Sequence, residues 1–137
     1  KLGLELYFDQ AGTYPANANQ ALLADEGFMA SFPQPPSGAG QDNYDYAPVN
    51  PSGGGVCTSY HLGASLENSE HSSLDNDSDA DSDGTLTVTP GSSGNACNDP
   101  DGSEDTSSGY GSGFNGVVGT CADDSGSADD ACYDIRP

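Results

Sequence analysis

The sequence predicts an α+β domain: the end of an N-terminal helix packed on a small antiparallel sheet, with long acidic loops. Three observations point there. Apolar residues recur at helical spacing over residues 1–10, alternating apolar and polar residues run from Tyr44 to Leu66, and the stretch beyond is Gly, Ser and Asp with few apolar side chains. The chain has 137 residues, the length of a single domain.

Residues 1–15 read as the end of a helix. In KLGLELYFDQ, Leu4 and Phe8 stand one turn apart, as do Leu2 and Leu6, and Tyr7 is three residues from Leu4. Gly12 supplies a C-terminal stop and Pro15 bars continuation. A strand is the rival reading, because Leu2, Leu4, Leu6 and Phe8 also alternate. Residues 16–32 hold a second, weakly amphipathic piece with Leu22, Leu23, Phe28, Met29 and Phe32 as its apolar set, ended by Pro33, Pro35 and Pro36. Residues 44–66 read as a β-hairpin. Tyr44 and Tyr46 alternate with polar neighbours, Asn50 to Gly55 form the turn, and Val56 to Leu66 return. On the return strand Val56, Thr58, Tyr60, Leu62, Ala64 and Leu66 are the expected core face, opposite Cys57, Ser59, His61, Gly63 and Ser65. Residues 67–113 are an acidic, Gly/Ser-rich loop region with one short strand, Thr85 to Thr89. Residues 114–137 supply the last strand candidates, Gly116 to Cys121 and Cys132 to Ile135.

Leu, Ile, Val and Phe number only 19, against 22 acidic and 2 basic residues and a net charge of −20. By composition alone so few core formers at so high a charge suggest disorder. Four cysteines and the clustering of the acids argue for a fold. Nucleic acid and anionic membrane surfaces are excluded as partners, because Lys1 and Arg136 cannot make a basic patch. The charge favours divalent cations or a salt-rich medium. Halophilic adaptation would scatter acids over the whole chain, whereas the first 56 residues hold six and the remaining 81 hold sixteen.

Cys57, Cys97, Cys121 and Cys132 form no C-x-x-C pair and have no His at ligand spacing, so zinc is disfavoured. An even number beside a thin core reads as two disulfides formed in an oxidising compartment. Of three possible connectivities we favour Cys57–Cys97 with Cys121–Cys132, because the second pair closes a short polar loop from Asp123 to Asp130. No run of the sequence resembles a secretory leader or a membrane span. The chain opens at Lys1, inside an apolar run and without Met, and reads as a truncated or processed product.

The strongest chemical signal is LDNDSDADSDGT, Leu74 to Thr85. Asp75, Asp77, Asp79, Asp81 and Asp83 alternate with small residues before Gly84 permits a sharp turn. A hard cation such as calcium takes several oxygen ligands from a flexible loop, and alternating carboxylates can converge on one ion. Asp79, Asp81, Asp83 and Gly84 follow a D-x-D-x-D-G pattern, but its twelfth position is Pro90 where an EF-hand needs Glu. The bland alternative is a solvated acidic linker. Asp99, Asp101, Glu104 and Asp105 around Gly102 are a second, weaker metal candidate, and Asp123, Asp124, Asp129 and Asp130 a third. Catalysis finds no such signal. His61 and His71 have no nucleophile constellation, His61 reads as structural on a strand, and no G-x-S-x-G is present. The chain reads as no enzyme.

LELYFDQAGTYP, Leu4 to Pro15, resembles the stretch where the long N-terminal helix of type IV pilins and type II secretion pseudopilins enters the head. An L-x-x-Y-x-x-x-x-G-x-Y-P pattern is common there, and Leu4, Tyr7, Gly12, Tyr14 and Pro15 fit it. YDYAPV and CTSYHLGASLE, within Tyr44 to Glu67, are similar to the family's hairpin, and CYDIRP, Cys132 to Pro137, is similar to its C-terminus. The resemblance implies a pilin-like head on a long helix, packed with identical subunits into an extracellular, cell-surface or periplasmic filament. The membrane would be met only through an upstream segment. It also implies calcium in a loop after the hairpin, here the loop of Asp75 to Asp83. The chain departs from the family in lacking the hydrophobic helix and processing site, and its loops after Glu67 are longer and more acidic. Glu5 does not match the family's buried assembly glutamate in its surroundings. A reading of another class is a free secreted calcium-dependent binding or adhesion module.

Overall fold

Helix and strand compete for the first ten residues, and the helix wins. In the computed structural model, α1 runs over Leu2–Ala11 and stops at Gly12, which adopts a left-handed φ of 74° and donates its N–H to Phe8 O. A side chain at that φ meets its own backbone, so glycine ends the helix at little cost. The structure describes residues 1–16, 18–34, 44–49, 56–79, 114, 116, 121 and 131–137.

α1 docks on the rest of the molecule through Gly3 and Leu4, both buried. Full burial of a leucine stabilises by about 1.5–3 kcal/mol. The Met29 sulfur lies 3.4 Å from where a Gly3 Cβ would stand, so the bare backbone lets the 18–34 segment come close. A ladder of aromatic rings continues the contact. Phe8 stacks on Tyr14 at 4.6 Å, Tyr14 meets Tyr60 edge-on at 4.9 Å, and Tyr60 lies 6.2 Å from Tyr46. Such pairs add about 0.5–1.5 kcal/mol beyond their burial. Their polar ends are satisfied. Tyr14 and Tyr60 donate to the two oxygens of Glu5 at 2.9 and 3.1 Å, and Tyr46 donates to Pro15 O at 2.8 Å. Leu2 and Leu6, one turn apart on the opposite side of α1, stay 73% and 44% exposed.

The second amphipathic piece is shorter than its apolar spacing suggests. Only Gln20–Ala24 closes a helical turn, of π type, with the Asn19 side chain accepting from Leu22 N. Gly27 then takes a φ of 89° and breaks the helical path. Leu23 is buried, and Phe28, Met29 and Phe32 pack against the same cluster from irregular backbone.

The sheet has the order β1-β2-β3, with β1 at Asp45–Val49, β2 at Ser59–Ser65 and β3 at Cys132–Ile135, antiparallel throughout. Tyr46 pairs with Leu62 and Pro48 with Tyr60 on one side, and Gly63 with Asp134 and Ser65 with Cys132 on the other. Pro48 cannot donate to a ladder and sits in the edge strand β1. The expectation of one core face on β2 is incomplete. Tyr46 and Tyr60 join the α1-side cluster of Leu4, Tyr14 and Leu23, while Ala47, Val49, Phe114, Cys121 and Cys132 form a second core on the other face. His61, Gly63 and Ser65, assigned by alternation to the non-core side, are buried against that second core, whereas Val56 is 53% exposed. Alternation divides the two faces within Ser59–Ser65 and fails at Cys57, which precedes β2 and joins the α1-side cluster. It cannot tell that a central strand is covered on both.

The strand candidate at Thr85–Thr89 lies outside the described residues. Of the Gly116–Cys121 candidate only its two ends are described, Gly116 in a bend and Cys121 in a turn.

Candidate functional site

The acidic segment begins where the chain leaves β2. Leu74–Asn76 form one 3-10 turn, Asp77 is extended, and Asp79 takes a left-handed φ of 43°. These changes of direction fold the start of the segment back onto β3. Ser78 N donates to both Asp134 O and Asp134 Oδ1 at 3.1 Å, and Asp134 N donates to Asp77 Oδ2 at 3.2 Å.

Asp134 belongs to the second core and is fully buried, as is His61 on β2. An isolated carboxylate there would cost several kcal/mol. His61 Nε2 and Asp134 Oδ2 lie 2.5 Å apart, a hydrogen bond in which the imidazole N–H donates to the carboxylate. The His61 ring stacks on Phe114 at 3.7 Å with planes 10° apart, which fixes its orientation. Gly63 makes room for this arrangement. A Cβ there would stand 2.6 Å from Phe114 Cε2 and 2.8 Å from Cys121 Sγ.

Of the predicted metal residues, Asp75 is exposed on the 3-10 turn and Asp77 is half-buried against β3. Burial first, and the Asp134 charge second, push the Asp79 carboxyl up from its ordinary value. A carboxyl raised by a second acid beside it is an environment that a hard divalent cation relieves. Among the described residues, no group of three His, Cys, Asp or Glu side chains is gathered to hold a metal ion. Asp81 and Asp83 lie outside the described residues, as do Asp99, Asp101, Glu104 and Asp105 and the Asp123 to Asp130 group. The donors in place are carboxylate oxygens, which suit calcium; Asp77 and Asp79 are those that would hold it, with Asp81 and Asp83 next in sequence.

Cys121 and Cys132 are joined by a disulfide with Cα atoms 4.7 Å apart. Cys57 is also disulfide-bonded, and the proposed partner Cys97 lies outside the described residues. His71 accepts from Ser73 N in an exposed turn and stands apart from the His61 pair. Asp134 was given no role by sequence reasoning. Its signal was there: an acid two residues from Cys132, on the same face of a strand.

An apolar groove of about 160 Å³ opens beside the start of α1, lined by Leu4, Leu23, Met29, Phe32 and Leu62 among others. Among the described residues no helix is long and apolar enough to cross a membrane. Comparison with protein-family models, curated proteins and solved structures gives no significant match.

Proposed function

We propose that this chain is the head of a pilin-like filament subunit, a secreted structural protein whose copies associate through a helical stem continuous with α1. The observation that carries the reading is the division of α1 into two apolar sides. Leu4 is buried against the head, while Leu2 and Leu6 make an i, i+4 stripe that the head leaves uncovered. A surface helix of a free-standing domain has one apolar stripe; a second one asks for another partner, and a neighbouring stem is of the right chemistry. The capped end at Gly12 and the clamp of two tyrosines on Glu5 hold such a stem rigidly to the sheet. Calcium bound by the Asp75 to Asp83 segment would offset the repulsion of a chain with net charge −20.

The test is photo-crosslinking in the native host. A photoreactive amino acid placed at Leu2 or Leu6 of the full gene product should give a ladder of covalent multimers of this chain. Placed at Ser72, exposed in the turn after β2 and off α1, it should give far less. Only uncrosslinked monomer at both apolar positions rejects the filament and favours the free secreted calcium-dependent module.

A further inference from the structure

We propose that Asn76 is an N-glycosylation site, which takes an oligosaccharide from a polyprenyl-phosphate-linked donor. Asn76, Asp77 and Ser78 form an N-x-S sequon whose middle residue is not Pro. It is the one complete sequon of the chain. Asn50 also precedes a serine by two residues, but Pro51 stands between them and closes that site.

A sequon needs a reachable side chain, and the fold sets Asn76 apart from the other described asparagines. Asn19 Oδ1 accepts from Leu22 N and Asn68 Oδ1 from Glu70 N, so both of those amides hold the local backbone. Asn76 is exposed at the end of the 3-10 turn Leu74–Asn76, and its side-chain amide makes no hydrogen bond to a described residue. The next two residues turn back half-buried toward the sheet, while Asn76 stays out. A glycan on its Nδ2 therefore displaces nothing in the described fold. Ser78 is tied to the sheet by its backbone: its N–H goes to Asp134 O and Oδ1, and its hydroxyl bonds to no described residue. The group a transferase reads is separate from the group the fold uses. The Cys121–Cys132 bond and the disulfide-bonded Cys57 fit maturation in an oxidising compartment, the side of the membrane on which lipid-linked sugars meet protein. The proposal depends on neither the filament nor the calcium reading.

In the transfer, Nδ2 bonds to the anomeric carbon of the first sugar as that carbon's bond to the donor phosphate oxygen breaks. The electron pair leaves with the polyprenyl phosphate, and the amide proton passes to a base of the host transferase or to water. Nothing is oxidised or reduced.

The test is mass spectrometry of the mature full chain from its native host, with fragmentation that keeps sugars on their residue. Lys1 and Arg136 are the only basic residues, so the chain is cut at glutamates, and cleavage after Glu70 parts Asn76 from Asn19 and Asn68. Asn76 should carry a glycan mass, and Asn19 and Asn68 should be bare. Ser78→Ala keeps the backbone bonds to Asp134 and should lose that mass completely. Ser78→Thr keeps a hydroxyl and should retain it. A bare Asn76 in the wild-type chain overturns the proposal. So does a mass on Asn76 that survives Ser78→Ala, because a modification indifferent to that hydroxyl is not glycosylation read through the sequon.

Discussion

Gly63 shows how one missing methyl group permits the second core. It pairs with Asp134 across β2 and β3, and its open Cα face admits the Phe114 ring and the Cys121 sulfur. Both neighbours are confined: Phe114 by its stack on His61, and Cys121 by its bond to Cys132. A Cβ at 2.6 to 2.8 Å from three of their atoms cannot be met by swinging a flexible side-chain end aside. We predict that Gly63→Ala destabilises the protein by about 1–3 kcal/mol, read as a lower urea midpoint at unchanged slope. The same change at Gly3 meets Met29 at 3.4 Å, ordinary contact with a flexible thioether, and should be mild by comparison. A pair of variants with one chemistry and opposite surroundings separates packing from helix or strand propensity. If the two fall together, the close approach at Gly63 is not what limits stability there.

Among the elements, α1 and the sheet are joined by a small polar clamp inside an aromatic cluster. Burial and then the Glu5 carboxylate push the Tyr14 phenol up to about 12. Tyr60 is pushed up by burial and Glu5, and Tyr46 by burial and the neighbouring tyrosines. Each of these phenols holds its proton more tightly in the folded chain than in the unfolded one, where tyrosine ionises near about 10. Their contribution to stability is therefore complete below about pH 10 and is lost as the pH climbs through the folded values. Glu5→Gln removes the charge that helps raise Tyr14 and Tyr60. It should bring phenolate absorbance in at lower pH and weaken the docking of α1, by about 1.5–3 kcal/mol for charge-assisted bonds of this kind. An unmoved phenol titration would show that Glu5 does not face the rings in solution. The helix was legible in the sequence because Leu4 and Phe8, Gly12 and Pro15 each mark it independently. The strand pairing was legible from alternation, while the turn expected at Asn50 to Gly55 lies outside the described residues. Glu5 was not, since nothing local says that a carboxylate on a helix will meet Tyr14 and, 55 residues on, Tyr60. Nor was Asp134, whose meaning depends on His61 lying 73 residues away. Sequence patterns report which face a residue takes; only the sheet register says what it meets there.

For the molecule as a whole, the problem is to hold together a chain of net charge −20 with 19 Leu, Ile, Val and Phe residues. The disulfide from Cys121 to Cys132 supplies one restraint, worth about 2–4 kcal/mol. The acids after Glu67 oppose it, and the place where that opposition is visible is Asp79, raised by burial and by Asp134. A divalent cation there would replace a repulsion by two attractions. An ion that binds only the folded form stabilises by about 2.7 kcal/mol at a hundredfold excess over Kd. Against a typical stability of about 5–15 kcal/mol that is a large share. Calcium should therefore raise Tm well beyond sodium at equal ionic strength, which isolates screening from binding. Magnesium should do less, because it demands tighter octahedral geometry and releases water reluctantly. Replacing Asp79 and Asp81 together by Asn should abolish most of the calcium response. Without calcium the same variant should melt no lower than the parent, because Asn tolerates the left-handed φ of 43° and carries no charge toward Asp134. That asymmetry is the decisive feature. A segment that is only a solvated acidic run predicts a sodium shift equal to the calcium shift, and a variant that keeps both.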